Sequence, residues 1–341
     1  MRHPVNESQH RTTGPERTER SVSITFDRAT KIYPGSETPA LDALSLTVEA
    51  GELLCLVGPS GGGKTTALML INRLIDLTSG DIRIGETSIT DIGAIELRRK
   101  IGYAIQQTGL FPHMTVAQNI AVVPRILGWS AARIDARTDE LLELVGLTPT
   151  AQWRARYPGQ LSGGQQQRVG IARALAADPP LMLMDEPFGA LDPITRTAVQ
   201  DEFLAIHRAV GKTTVFVTHD IDEAIKMGDK IAVLRPGGLL AQLGPPEDLL
   251  AEPADDFVAS FLGAERGLKR LGLYRLGDLA GEQREPLPDW PRLPAGTTAR
   301  EALSCATAER ADGVIVADGE TPERAVPVAR LLQPDVSEGA A

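Results

Sequence analysis

Nine consecutive residues of the chain read Gly58-Pro-Ser-Gly-Gly-Gly-Lys-Thr-Thr66. The apolar run Leu53 to Val57 precedes them, and a run with helical character, Ala67 to Leu74, follows them. This order predicts a buried strand, a glycine-rich turn and a helix N-terminus, which is the context that a G-x-x-x-x-G-K-[ST] match requires. The alternative is a chance glycine-rich turn, which the flanking elements disfavour. The stretch therefore predicts a loop that binds a nucleoside triphosphate.

Each residue type in this loop suits a phosphate ligand. Glycines at positions 58, 61 and 63 permit backbone angles that residues with a Cβ avoid, so that successive N–H groups can point inward. The following helix adds its unpaired N–H groups and the positive end of its dipole. Lys64 can contact the β- and γ-phosphates, and the Thr65 hydroxyl suits Mg²⁺. The predicted nucleotide-binding residues of the loop are Gly58, Pro59, Ser60, Gly61, Gly62, Gly63, Lys64, Thr65 and Thr66.

Length and composition limit the classes of protein that the chain can represent. Its 341 residues predict about two domains. With 35 basic and 45 acidic residues the net charge is −10, which argues against nucleic acid as the main partner. Cys55 and Cys305 stand far apart in apolar surroundings and are expected to be buried thiols in a reducing cytoplasm.

Targeting and membrane signals are not visible in the sequence. No apolar run reaches the ~18 residues that a membrane-spanning helix needs. Residues 1–21 are polar and mixed in charge, so we expect a disordered tail and not a secretory signal. We expect a cytoplasmic protein that reaches the membrane through partner proteins.

The chain around the loop divides into segments of different texture. Alternating apolar residues in Val22–Phe26 and Leu41–Val48 predict a small antiparallel β-subdomain beside the nucleotide. Tyr33 could stack on the base there, or it could be an ordinary strand tyrosine. Helical periodicity over Val116–Gly128 and Asp135–Val145 predicts a helical insertion that ends near Tyr157-Pro158. Four apolar residues of this segment are expected to face the core: Leu141, Leu142, Val145 and Leu147.

Polar side chains follow several predicted parallel strands at the point where each strand ends. Asp185 and Glu186 follow the apolar run Leu181–Met184, His219 follows Val215–Thr218, and Gln106 follows Ile101–Ile105. The carboxyl ends of parallel strands share one edge of a sheet, where ligands bind.

These residue types fit phosphoryl transfer. Asp185 can hold Mg²⁺, and Glu186 can orient or deprotonate the attacking water. Gln106 can touch Mg²⁺ and the water, and His219 can contact the γ-phosphate. The alternative for Asp185 and Glu186 is an ordinary pair of surface carboxylates. Ser162, Gly163 and Gly164 at another helix start form a second anion-binding end.

The composition shifts from Glu265 onward. A linker-like stretch carries prolines at positions 286, 288, 291 and 294. A capped helix from Thr297/Thr298 to Ala308, a strand over Val314–Ala317 and a further element over Val326–Leu332 then predict a small α/β appendage. We expect the tail from Pro334 to be disordered.

Taken in order, these motifs resemble the ATP-binding subunit of an ABC transporter over residues 22–262. The matching motifs are an aromatic residue for adenine at Tyr33, the P-loop, the Q-loop Gln106, the signature Leu161–Gln165, the Walker B motif Met184–Pro187, the D-loop Gly189–Asp192 and the switch residue His219. The resemblance implies a P-loop NTPase α/β fold with an antiparallel β-subdomain, a RecA-like parallel-sheet core and a helical subdomain at about 108–178.

The resemblance also implies partners. Two copies would enclose two ATP molecules, so that Ser162, Gly163 and Gly164 of one copy complete the nucleotide site of the other. Gln165 and Asp192 are further expected nucleotide-binding residues. Integral membrane permease subunits, and indirectly a substrate-binding protein, would complete the transporter, and the chain would lie at the inner face of the membrane.

A finer resemblance is to importers of quaternary amine osmoprotectants, such as glycine betaine, choline, carnitine and proline betaine. It is carried by the stretches Ile101–Thr115, Tyr157–Val169, Met184–Arg196 and Gly263–Leu271. In that subfamily a pair of CBS motifs follows the ATPase domain, but residues 263–333 leave room for one. Tyr274–Leu279 resembles its opening strand, and Thr297–Leu332 resembles the helix, strand and helix that follow.

Several alternatives stay open at this point. The appendage could regulate activity, or it could only contact the other copy of a dimer or be vestigial. The transported solute could instead be an amino acid or a polyamine. A non-transport ABC ATPase acting on DNA or ribosomes is disfavoured by the acidic net charge. A regulatory binding module is disfavoured by the complete catalytic set.

Overall fold

The computed structural model describes residues 21–105, 109–279, 289–318 and 323–334. The expected N-terminal tail, apart from Ser21, and the expected C-terminal tail after Pro334 lie outside the described residues. Up to Gly244 the strands are β1 Ile24–Lys31, β2 Leu41–Val48, β3 Leu53–Val57, β4 Ser79–Ile84, β5 Thr87–Ser88, β6 Ile101–Ala104, β7 Leu181–Asp185, β8 Thr213–Val217, β9 Lys230–Leu234 and β10 Leu240–Gly244. Up to Leu262 the helices are α1 Lys64–Ile71, α2 Ala94–Arg99, α3 Val116–Ile120, α4 Val122–Ile126, α5 Ala131–Leu144, α6 Thr150–Arg154, α7 Gly163–Leu175, α8 Pro193–Val210, α9 Ile221–Met227, α10 Pro246–Ala251 and α11 Asp256–Leu262.

The central sheet has the strand order β10-β9-β3-β8-β7-β6 among the described residues. The pairs β9–β3, β3–β8, β8–β7 and β7–β6 are parallel, whereas β10 returns antiparallel to β9. Every residue of β3 and of β8 is buried, as expected for parallel strands covered on both faces. The carboxyl ends of β3, β7 and β8 therefore lie side by side at one edge.

An antiparallel sheet of order β2-β1-β4-β5 lies beside the central sheet and confirms the predicted β-subdomain. Its core is continuous with one face of the central sheet, because Leu54 and Leu56 of β3 join the same cluster as the apolar residues of β1 and β2. The buried face of α1 lies in this cluster as well. The phosphate-loop helix is thus held between the two sheets.

The helical insertion packs against the opposite face of the central sheet. Leu53, Cys55 and Val57 of β3 belong to its apolar cluster. The predicted stripe on and after α5 is confirmed as core, since all four of its residues are buried: Leu141, Leu142, Val145 and Leu147. Helix α5 begins four residues before the predicted start at Asp135, because the Ser130 hydroxyl accepts the Arg133 N–H and caps it there.

The C-terminal part forms a small α/β unit with its own apolar cluster. Its elements are α12 Arg266–Leu271, α13 Leu276–Leu279, β11 Arg292–Leu293, α14 Ala299–Glu309, β12 Gly313–Val316, β13 Arg324–Pro327 and α15 Val328–Leu332. The sheet order is β11-β12-β13, with β11 parallel and β13 antiparallel to β12. The predicted capped helix is α14, and Thr298 forms its capping box with Glu301.

Two expectations for this part were wrong. Residues 274–279 do not form a strand, because Leu276 and Leu279, three residues apart, both point into the local core from α13. The strand pairing in this segment is an isolated antiparallel bridge between Arg275 and Thr298. Cys305 is only partly buried, in contrast to Cys55.

Within the described residues no helix combines the length and apolar character needed to cross a membrane.

Candidate nucleotide-binding site

The glycine-rich loop connects β3 to α1, as the sequence predicted. Gly58, Gly61 and Gly63 have φ values of 152°, 77° and 81°, which confirms the expected need for glycine. A Cβ at Gly63 would lie 2.3 Å from the carbonyl oxygen of Ala40. The loop is thus pressed between α1 and the backbone that leads into β2. Nothing in the sequence of the short loop before β2 signals this contact with Ala40.

Lys64 is the first residue of α1 and lies beneath the loop. Its Nζ donates to the carbonyl oxygens of Gly58, at 2.7 Å, and Pro59, at 3.0 Å. Burial lowers the pKa of Lys64, while Glu186 and Asp185 act in the opposite direction. A cavity of about 310 Å³ opens above it. Among the described residues the cavity is lined by Ser60, Gly61, Gly62, Gly63, Lys64, Thr65, Thr66 and Glu186.

Thr65 and Asp185 meet at the side of this cavity. The Thr65 hydroxyl donates to Asp185 Oδ1 across 3.3 Å. Burial raises the pKa of Asp185, with Glu186 adding to the rise and Thr65 and Lys64 opposing it. A hydroxyl and a carboxylate at this spacing fit Mg²⁺, which takes one or two protein oxygens together with phosphate and water. No group of three or more His, Cys, Asp or Glu side chains arranged to hold a metal ion occurs in the part of the chain that the structure describes.

Glu186 and His219, the two strand-end residues predicted to act in hydrolysis, contact each other. Glu186 Oε2 lies 3.0 Å from His219 Nδ1. The Glu186 backbone has φ 44°, in the left-handed region that a residue with a Cβ rarely adopts, and its N–H donates to Val217 O at 2.9 Å. Such strain is typical of functional positions. The His219 side chain is 65% exposed, so its direction depends mainly on the turn that carries it.

Tyr33 lies beside the loop after the end of β1. Its hydroxyl is 3.4 Å from Thr66 Oγ1, and the Lys31 Nζ lies 5.5 Å from the ring centroid. The ring is partly exposed. The structure therefore brings Tyr33 to the nucleotide-binding loop, where the stacking role stays a prediction. Gln106 lies outside the described residues.

The signature residues lie apart from this cavity within one chain. Ser162 caps α7 and forms a capping box with Gln165. Gly163 and Gly164 pack against the start of α8, where a Cβ at Gly164 would lie 2.9 Å from Thr195 Cγ2. Asp192 caps α8 by accepting the Thr195 N–H at 3.1 Å. None of these residues is among the described residues that line the phosphate-loop cavity.

The parallel sheet, the glycine-rich loop and the carboxylates at the strand ends define a P-loop nucleotide-binding protein. A family model described as ABC transporter matches residues 41–189. The osmoprotectant import ATP-binding protein OsmV of Salmonella typhimurium is 53% identical over 73% of this chain and 65% of its own length. The glycine betaine uptake system ATP-binding protein YehX of Escherichia coli is 50% identical over 82% of this chain and 89% of its own.

A dimeric ATP-binding cassette, MJ0796, in a post-hydrolysis state with ADP and Pi is similar in structure. It is 36% identical with a TM-score of 0.57, and the match covers 65% of this chain and 98% of that one. The chain belongs to the ATP-binding proteins of ABC transporters, which are ATPases. The resemblance drawn from the motifs and the P-loop fold class are confirmed. The relatives also confirm the finer resemblance, because one is named for osmoprotectant import and the other for glycine betaine uptake.

Proposed function

We propose that the chain hydrolyses ATP to drive import of a small quaternary amine osmoprotectant through separate permease subunits. The observation that carries the hydrolytic part is one cavity lined by Lys64, Thr65 and Glu186. Asp185 is hydrogen-bonded to Thr65 at its side, and His219 lies against Glu186. The substrate class rests on the names of the similar importer proteins. The import partners would be the permease and a substrate-binding protein, which would hold the chain at the inner face of the membrane.

Each predicted site residue would have its own role in ATP binding or hydrolysis. Loop N–H groups and Lys64 would bind the phosphates, with Lys64 exchanging its bonds to Gly58 O and Pro59 O for phosphate oxygens. Thr65 and Asp185, with Gln106, would hold Mg²⁺, which neutralises charge on the phosphates. Glu186 would accept a proton from the attacking water. His219, held at 3.0 Å from Glu186, would contact the γ-phosphate. Tyr33 would stack on the adenine.

We infer that a second copy completes each site. The N-terminus of α7 with its Ser162 cap is an anion-binding end that no phosphate in its own subunit's loop would use. Ile194, two residues after Asp192 in the first turn of α8, is 85% exposed. An apolar side chain so exposed beside the two helix starts suits a surface that a partner covers. Ser162, Gly163, Gly164, Gln165 and Asp192 would then act on the nucleotide of the other copy.

The permease would contact the helical insertion. A groove of about 310 Å³ lies between the start of the central sheet's β6 and the helices of the insertion. Its lining joins apolar residues, among them Phe111, Val122 and Val123, to the cations Arg98 and Arg173. The apolar part of this lining suits the apolar face of a short amphipathic helix.

The proposal is tested by uptake of labelled glycine betaine and choline at raised osmolarity. Cells of the source organism would carry the native chain, Lys64→Ala or Glu186→Gln, with Glu96→Gln as a matched control at an exposed carboxylate paired with Lys100. We expect both site variants to lose uptake and the control to retain it. Retained uptake in Glu186→Gln would refute the proposed hydrolytic role. Uptake of amino acids or polyamines in place of betaines would keep the ATPase and change its substrate.

Purified variants separate binding from turnover. Glu186→Gln should bind ATP normally and lose turnover by at least ~100-fold, because a general base contributes on that order. Lys64→Ala should weaken ATP binding by about 10-fold or more, since it removes charge-assisted hydrogen bonds to phosphate. Unchanged affinity in Lys64→Ala would contradict the assignment of the loop.

A further inference from the structure

Glu223 is a buried carboxylate to which the proposed mechanism gives no role. It lies in the first turn of α9 and is 6% exposed. Its Oε1 accepts a hydrogen bond from Gln200 Nε2 of α8 at 2.9 Å, and Gln200 is itself 5% exposed. Burying a carboxylate is costly unless its oxygens are hydrogen-bonded. We therefore expect the pair to stabilise the position of the two helices that carry it, α8 and α9.

The carboxylate also lies against the turn that carries His219. The Thr218 hydroxyl, in a residue that is 1% exposed, lies near the Glu223 carboxylate and opposes the rise in its pKa. The same hydroxyl accepts the Asp220 N–H at 3.0 Å, so one hydroxyl spans the residues on both sides of His219. Asp220 in turn caps α9 through the Asp222 and Glu223 N–H groups. Glu223 is thus bonded to a closed turn of which His219 is the outward-facing residue.

The other end of the pair leads to the start of α8. Gln200 lies on the helix that Asp192 caps and against which Gly163 and Gly164 pack. The Gln200–Glu223 bond therefore joins the helix at the proposed contact with the second copy to the turn at the γ-phosphate. On the outer side of the same two helices Lys226 Nζ pairs with Asp201 at 2.8 Å, but that pair does not involve Thr218 or Asp220.

We propose that Glu223 is a positioning residue for hydrolysis, which fixes the His219 turn against α8 so that the imidazole meets Glu186. The inference rests on the proposed function. Since the His219 side chain is 65% exposed, little besides Glu186 orients the ring once the turn moves. Loss of the Glu223 bonds should thus lower turnover while ATP still binds to the loop, whose contacts lie elsewhere.

The first measurement is steady-state ATP hydrolysis by the full chain. Glu223→Gln offers one acceptor oxygen in place of two, and we expect kcat to fall about 10-fold, since misplacement of a reacting group by ~1 Å costs up to ~100-fold. KM for ATP should stay within about twofold, as for loss of an interaction made only in the transition state. Lys226→Ala, which removes the outer contact between α8 and α9, should leave kcat near that of the native chain.

Rescue and coupling separate positioning from a structural role. The double variant Glu223→Gln with Gln200→Glu restores one carboxylate and one amide to the pair and should recover most of kcat. In a His219→Ala background Glu223→Gln should have no further effect on kcat, because two residues that act as a unit are not additive. Should Glu223→Gln fold poorly, the double variant still decides, since native-like folding without recovery of kcat overturns the proposal.

The remaining outcomes are also decisive. An unchanged kcat in Glu223→Gln, or an equal fold loss with and without His219, would overturn the positioning role and leave the proposed ATPase intact. Absence of ATP turnover in the native chain with Mg²⁺ would overturn the proposed function, and this inference with it.

Discussion

Replacing Gly63 with alanine should destabilise the chain more than the same change at Gly61 in the same loop. Both glycines have left-handed backbones, with φ of 81° and 77°. The difference lies in the space around them. A Cβ at Gly63 would lie 2.3 Å from Ala40 O and 3.2 Å from the Cα of Gly238, whereas a Cβ at Gly61 would meet nothing within 4 Å.

The loss of stability has a backbone part, which both variants share, and a steric part, which only Gly63→Ala has. Both variants bear the left-handed backbone penalty of a residue with a Cβ, which is about 1–2 kcal/mol. Gly63→Ala must in addition move the backbone at Ala40. The atom that the new Cβ would clash with is a backbone carbonyl oxygen, which cannot move aside as a flexible side chain could. Overpacking of this kind costs about 1–3 kcal/mol. We expect losses in unfolding free energy of about 1–2 kcal/mol for Gly61→Ala and about 2–5 kcal/mol for Gly63→Ala.

The deciding assay is urea unfolding without nucleotide. Nucleotide is left out because bound ligand stabilises the native state and would mix affinity with strain. Equal unfolding midpoints at equal slope for the two variants would refute the steric argument, and so would a larger loss in Gly61→Ala. ATP affinity is the second readout, and it should fall in Gly63→Ala because the displaced loop no longer aims its N–H groups at phosphate.

Two further predictions concern single side chains. Burial raises the pKa of Glu223 above its ordinary 4.5, so above that pH the native chain retains a proton that the unfolded chain has lost. The free energy of unfolding should therefore fall as pH rises from 4.5 through the raised pKa of Glu223. Urea unfolding across that range should show a smaller fall for Glu223→Gln, which has no carboxyl group at this position. An equal fall in the native chain and the variant would contradict this prediction. Thr298→Ala removes the capping box of α14 and should cost the appendage about 1 kcal/mol, measured by hydrogen exchange in α14, with ATP hydrolysis unchanged; equal protection in both proteins would argue against the cap.

Much of the site follows from neighbours along the chain. The strand, loop and helix around Gly58–Thr66 are encoded within one stretch, because a phosphate loop needs its glycines, its lysine and its helix start in consecutive positions. Asp185, Glu186 and His219 were predicted from their places after buried strands, since parallel strands present their carboxyl ends at one edge. The cap of α14 at Thr298 is local in the same sense.

Other features depend on residues far apart in the chain. The strand predicted at residues 274–279 is the short helix α13, because two leucines three residues apart fit a helix as well as a loose strand pattern, and the appendage core selects the helix. Likewise the close packing of Ala40 O over Gly63, where an added Cβ would lie at 2.3 Å, and the 2.9 Å bond from Gln200 to Glu223 join separate segments. The chemistry of the phosphate site thus follows from the order of neighbouring residues. Tertiary packing alone decided which backbone closes the loop and what holds the His219 turn, because those contacts exist only after distant segments have been brought together.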